Sequence, residues 1–279
     1  MPYAGEISRK NPSCFLFIVD HSASMEDPFA SGTKRKCDGL AEVLNRFLYE
    51  LAIKCAKEEG IRNYYDVGVI GYGATVESAF TGKLAARSLV PIADVANNPM
   101  RLDERPKETV TSSGEAVRRI VRVPVWFDPV AAGGTPMVKA FGLAASVLRG
   151  WIDAHPDAYP PAVVHITDGE STDGDPTVAM RGVTQMHTSD GNVLLFNVHI
   201  SSDPHGKVLK FPSSADGLPD AYARMLYASS SYLTPFMCAT ARAQGLDVGD
   251  EAKGFVLNAD LNLLVAALDI GTRASNPLR

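Results

Sequence analysis

Short apolar runs and segments of helical period alternate through most of the chain. Residues 13–20, 66–72, 161–168 and 192–200 are apolar at almost every position, whereas a strand with one face in water would alternate. They predict the central strands of a parallel sheet covered on both faces. Between them, Leu40, Leu44, Phe47, Leu48, Leu51 and Cys55 fall on one helical face, and so do Met137, Phe141, Ala144, Leu148 and Trp151. Leu261, Leu264 and Leu268 repeat the spacing near the end, with Gly271 placed to stop that helix. Strands alternating with helices in this order specify an α/β fold, a doubly wound and mostly parallel sheet with helices on both faces.

Two stretches break the rhythm. Residues 80–128 are rich in Pro, charge and β-branched side chains, and 117–127 reads as extended chain, one arm of a hairpin turning at Ser112-Ser113-Gly114. This is an insertion between the second strand and the helix that begins near Pro136. Residues 201–219 carry Pro204, Gly206, Pro212, Gly217 and Pro219 and read as a long surface loop. The expectation is a single domain over residues 1–279, with a core of about 13–271.

Composition narrows the class. The 279 residues are 46% apolar and 21% charged, enough for a full core, which excludes intrinsic disorder. With 27 Lys+Arg against 32 Asp+Glu the formal net charge is −5, and no basic stripe offers counterion release to nucleic acid. The first apolar run, 14–19, is far too short for a secretory signal or a membrane span. Cys14, Cys37, Cys55 and Cys238 lie far apart without C-x-x-C spacing, as buried thiols of a reducing compartment would. The expected location is the cytoplasm, away from membranes.

Three loops carry the candidate chemistry. Asp20-His21-Ser22-Ala23-Ser24 stands at the carboxyl end of the first strand, where open parallel sheets bind ligands. Thr135 sits in Gly133-Gly134-Thr135-Pro136 before an amphipathic helix, and Asp168 ends a strand in Thr167-Asp168-Gly169-Glu170. Each has an ordinary explanation: an Asx turn for Asp20, a helix N-cap for Thr135 and a turn aspartate for Asp168. Together on one sheet edge, their carboxylate and hydroxyl oxygens suit a hard divalent cation, Mg²⁺ foremost with Mn²⁺ or Ca²⁺ as alternatives.

Asp20-x-Ser22-x-Ser24, Thr135 in Gly-Gly-Thr-Pro and Asp168 in Thr-Asp-Gly resemble the metal-ion-dependent adhesion site of the von Willebrand factor A family. The resemblance covers about residues 13–271. It implies a strand order of 3-2-1-4-5-6, neighbouring strands for Asp20 and Asp168, and metal ligation by Asp20, Ser22, Ser24, Thr135 and Asp168. Residues 127–136 and 254–260 are similar to stand-alone bacterial members of the tellurite-resistance type, often encoded beside kinases and phosphatases. The implied function is capture of a partner protein's Asp or Glu carboxylate, in a stress-response setting or with a co-encoded kinase or phosphatase. Two carboxylates balance a divalent cation and leave it electrophilic at an open position. His21, Trp126, Gly134 and Glu170 are the expected partner-facing residues. Phe127 is a second aromatic near this face, and Asp173 and Asp175 join Glu170 in an acidic rim.

Catalysis is the competing class. A metal-dependent phosphohydrolase would make Asp20 a nucleophile and Asp168 a metal ligand. A haloacid-dehalogenase-like enzyme, however, wants a second aspartate where Ser22 stands and a nearby lysine. Lys34-Arg35-Lys36 reads as a solvated basic run. Gly71-Tyr72-Gly73 lacks the third glycine of a dinucleotide fingerprint, and neither a G-x-S-x-G elbow nor a Walker A lysine occurs. His165 and His199 lie within apolar strands and read as satisfied core residues. The expectation is a binding module, not an enzyme, with no catalytic residue.

Overall fold

A computed structural model describes residues 3–30, 32–110 and 116–272, with 107–110 and 116 described by backbone alone. The continuous apolar runs become strands because every backbone N–H and C=O buried with them finds a ladder partner. The strands are β1 Ser13–Asp20, β2 Ala56–Lys57, β3 Gly60–Ile61, β4 Tyr65–Tyr72, β5 Val76–Ser78, β6 Val90–Pro91, β7 Arg101–Val110 and β8 Ala116–Val125, then β9 Ala162–Thr167, β10 His187–Thr188, β11 Gly191–Asn192, β12 Leu194–Ile200, β13 Leu209–Lys210 and β14 Phe255–Ala259. The helices are α1 Lys36–Lys54, α2 Ile92–Asn97, α3 Met137–Ala154, α4 Thr177–Thr184, α5 Ala221–Ser229, α6 Pro235–Ala243 and α7 Leu261–Gly271.

The central sheet runs β13-β14-β12-β9-β1-β4-β5, with β6 also paired to β4. Its five inner strands are parallel, while β5, β6 and β13 are antiparallel additions. Leaving β6 and β13 aside, the order is the 3-2-1-4-5-6 implied by the resemblance. Alternation along β1 divides the core. Phe15, Phe17 and Val19 pack with α1, α2, α6 and α7 on one face. Cys14, Leu16 and Ile18 pack with α3, α4 and α5 on the other. All four cysteines are free and buried.

The interruptions are more structured than the sequence suggests. β7 and β8 form a ten-pair antiparallel hairpin, while the expected turn at Ser112–Gly114 lies outside the described residues. Upstream of it, Phe80, Leu84, Val90 and, on α2, Ile92 and Val95 are buried, so this part of the insertion packs against the core rather than extending the arm. Within 201–219, β13 adds an edge to β14 and Phe211 is 1% exposed, so that loop is pinned at its middle. Among the described residues no helix is long and apolar enough to cross a membrane.

Candidate metal centre

The register sets the geometry. Asp20 lies opposite Tyr72 of β4, while Val19 lies opposite Ile166 of β9, so Asp20 and Asp168 emerge at the same sheet edge from neighbouring strands. The edge is the carboxyl one, where β1 and β9 both hand over to loops.

Backbone hydrogen bonds then tie the three loops together. Ala23 N–H donates to the Gly133 carbonyl at 3.0 Å, and Ala132 N–H donates to that of His21 at 2.6 Å. Thr172 closes the third side: its N–H donates to Thr135 O at 3.0 Å, and its Oγ1 accepts from Thr135 N–H at 2.9 Å. Gly133 takes φ +85°, and a Cβ there would stand 2.4 Å from Ala74 N, so this crossing of loops requires glycine.

Within the cradle Ser22, Ser24 and Asp168 meet, while Thr135 is tied in through its backbone. Ser22 Oγ and Ser24 Oγ are 3.0 Å apart, and Ser24 Oγ donates to Asp168 Oδ1 at 2.8 Å. Asp20 Oδ1 accepts the Ser22 N–H at 2.8 Å, the Asx-turn bond expected of it, and its Oδ2 accepts Thr167 Oγ1 at 2.9 Å. Thr135 is buried and its backbone is fixed against Thr172. It does not cap α3 with its side chain. That service comes from Asp173, whose two carboxylate oxygens accept the N–H groups of Val138 and Lys139, both at 3.0 Å. Asp175 accepts from Thr177 N–H at 2.9 Å at the start of α4. Two members of the expected acidic rim are therefore helix caps, because the N-terminal N–H groups of helices attract carboxylates.

Electrostatics make Asp20 costly. Burial pushes its carboxyl up to about 6; hydrogen bonding from Ser22 pulls it down, and the nearby charge of Asp168 pushes it up again. Behind it lies a polar chain across the sheet. Asn197 Nδ2 donates to Leu226 O and Ser230 Oγ, which turns its Oδ1 towards His165 Nδ1 at 2.8 Å. His165 therefore carries its proton on Nδ1, and Nε2 accepts the Tyr72 hydroxyl at 2.8 Å. The same hydroxyl stands 3.4 Å from Asp20 Oδ2. Burial lowers His165 to about 4, which keeps the imidazole neutral at ordinary pH, so it is a satisfied core histidine.

Asp168 has the most unusual surroundings. Its side chain is fully buried, its Oδ2 accepts no hydrogen bond of regular geometry, and the Lys36 ammonium lies 2.7 Å from that oxygen. The expectation of a solvated Lys34-Arg35-Lys36 run is thus wrong at its last member. Lys34 and Arg35 are exposed, but Lys36 opens α1 and points inward with 4% of its side chain exposed. Only the start of α1 could have revealed this, and the sequence places that start loosely.

The partner-facing residues fare unevenly. Gly134 and Glu170 are exposed at the rim, beside exposed Ser24. His21 is half-buried, with burial lowering it to about 4. Trp126 cannot serve as an exposed anchor: it is 1% exposed, donates Nε1–H to Val95 O at 2.6 Å, and takes the Asn45 carboxamide on its backbone N–H at 2.8 Å. Phe127 is buried beside it. Sequence reading missed Lys36, Tyr72, Thr167 and Thr172, of which Thr167, immediately before Asp168, carried the only local signal.

Among the described residues no group of three or more His, Cys, Asp and Glu could hold a metal. A cation at this edge would rest on two carboxylates supplemented by hydroxyls. The donor set fits such an ion: two buried carboxylates stand at the same edge as two serine hydroxyls in mutual contact, one of which also touches Asp168 Oδ1.

No protein-family model and no curated protein matches the chain. Matches come from solved structures. A von Willebrand factor type A protein from Catenulispora acidiphila is 16% identical, with a TM-score of 0.38, over 68% of this chain and 33% of its own. The mussel byssus proximal thread matrix protein 1, in a structure described as having a zinc-occupied metal-ion-dependent adhesion site motif, is 12% identical, with a TM-score of 0.39, over 70% of this chain and 37% of its own. The pilus adhesin SpaC from Lactobacillus rhamnosus GG is 12% identical, with a TM-score of 0.43, over 93% of this chain and 30% of its own. The chain spans little more than a third of those proteins' length at most. Likenesses this distant establish neither family nor function, which leaves the chain's own oxygens to carry the reading.

Proposed function

We propose that the carboxyl edge of the sheet holds one divalent cation through Asp20, Ser22, Ser24, Thr135 and Asp168, and that the chain uses it to bind an acidic residue of another protein. The observation that carries the reading is the contact chain Ser22 Oγ–Ser24 Oγ–Asp168 Oδ1, which joins two loops through the exposed Ser24. Hard oxygen donors favour Mg²⁺, with Mn²⁺ or Ca²⁺ as alternatives. Bound there, the ion would act as a Lewis acid for an incoming carboxylate. The residues' own part is to hold the charge in place: Ser22 N–H and Thr167 Oγ1 orient Asp20, and Ser24 orients Asp168. A cytoplasmic stress-response setting, beside a kinase or phosphatase, belongs to the same proposal. Affinity capture with Mg²⁺ or EDTA, using wild type and Asp20→Asn, tests it. Partners held equally well under all four conditions would refute it.

Lys36 favours a second reading, since a lysine beside the second aspartate is what a phosphohydrolase uses. Ser22 opposes it, standing where such an enzyme needs its acid. Hydrolysis of p-nitrophenyl phosphate with Mg²⁺ separates the two. Activity abolished by Asp168→Ala would replace the binding module with an enzyme.

A further inference from the structure

Lys36 is held in place from two directions. Its N–H donates to Asp27 O at 2.9 Å, and Pro28 bridges to Arg35, so the loop opened by Asp20-His-Ser-Ala-Ser closes at the first residue of α1. Arg35 staples the outside of that loop to Glu26 and Asp38, each at 2.7 Å. Lys36 turns inward and stands 2.7 Å from the buried Asp168 Oδ2, which has no other partner among the described residues. A buried carboxylate needs a compensating charge, and the ammonium supplies it from the chain itself.

We propose that Lys36 is the resident cation of this site and competes with a divalent ion for Asp168, thereby setting the affinity for metal. The inference rests on the metal-binding reading of the preceding section. Charge counting supports it. Asp20 and Asp168 contribute two negative charges, which a divalent ion alone would balance. With Lys36 still against Asp168, a divalent ion leaves the group at net +1, with two cations contending for one carboxylate. An ion on the Ser24 side, at Oδ1, shares the carboxylate with an ammonium already on Oδ2, so each weakens the other's hold on it. Metal is therefore held less tightly than the two carboxylates would allow, and Lys36 marks this chain off from a site made of five oxygen ligands alone.

The test is Mn²⁺ binding to the full chain, read by the electron paramagnetic resonance signal of free Mn²⁺, for wild type, Lys36→Met, Lys36→Gln and Asp20→Asn. Loss of a like charge at ion-pair distance is expected to tighten Mn²⁺ binding about tenfold or more in both Lys36 variants. Circular dichroism checks folding. Should the methionine variant fail to fold, the glutamine variant, which keeps a donor for Asp168, decides. Unchanged or weaker binding in the folded Lys36 variants, with binding still abolished by Asp20→Asn, overturns the role of Lys36 and leaves the metal reading standing. No binding at millimolar Mn²⁺ in wild type or in either Lys36 variant overturns both. Binding seen only after Lys36 is replaced supports the proposal in its strongest form.

Discussion

Replacing Asp20 by Asn should stabilise the metal-free protein at neutral pH. The native carboxyl titrates near 6, against 3.8 for an exposed aspartate, chiefly because it is buried. A carboxyl whose pKa is raised by folding adds stability that is fully present below pH 3.8. That stability drains away as pH rises to about 6 and is absent above it. The displacement is about two pH units, or about 3 kcal/mol. Asparagine mimics the protonated form: its Oδ1 still accepts the Ser22 N–H, but it offers Thr167 Oγ1 a poorer partner. The expected net gain at pH 7.5 in EDTA is about 1–3 kcal/mol, or a Tm higher by about 3–8 °C for a chain of this size. Urea unfolding at pH 7.5 and pH 4 measures it, and the gain should vanish at pH 4, where Asp20 is already protonated. An equal loss of stability at both pH values would refute the reasoning, because it would make Asp20 a comfortable turn residue rather than a strained ligand. The same substitution should abolish any stabilisation by Mg²⁺, the trade between stability and function expected at a binding site.

Three further substitutions separate the site from its scaffold. Gly133→Ala places a Cβ 2.4 Å from Ala74 N at φ +85°, so it should cost about 1–3 kcal/mol and remove the metal-induced rise in Tm. Asp173→Ala uncaps α3 and should cost about 1 kcal/mol by urea titration while leaving the metal response intact. Trp126→Ala empties a fully packed position and should cost about 3–5 kcal/mol in the same assay, with the affinity of the remaining folded protein for Mn²⁺ unchanged.

The legible parts of the sequence were those fixed by local physics. β1, β4, β9 and β12 announce themselves because a strand buried on both faces must be apolar throughout. Asp20 and Asp168 stand out because a carboxylate ending such a strand interrupts the run at the ligand-binding edge. Side-chain direction was not legible. Lys36 sits among exposed basic neighbours and differs from them only in facing inward from the first turn of α1. Trp126 lies two residues past the buried Pro124 of an otherwise open arm, and only the tertiary contact with Val95 decides that it is core. Asp173 reads as rim charge because its partners, Val138 and Lys139, lie on another element.

If one divalent cation sits among Asp20, Ser22, Ser24, Thr135 and Asp168, anomalous diffraction from wild-type and Lys36→Gln crystals soaked in Mn²⁺ will locate it. A single strong peak is expected between the Ser22 and Ser24 hydroxyls and the Asp168 carboxylate, in the wild type or, where Lys36 outcompetes the ion, in the Lys36→Gln crystals alone. A peak elsewhere, or no peak in either crystal at saturating Mn²⁺, would contradict the site.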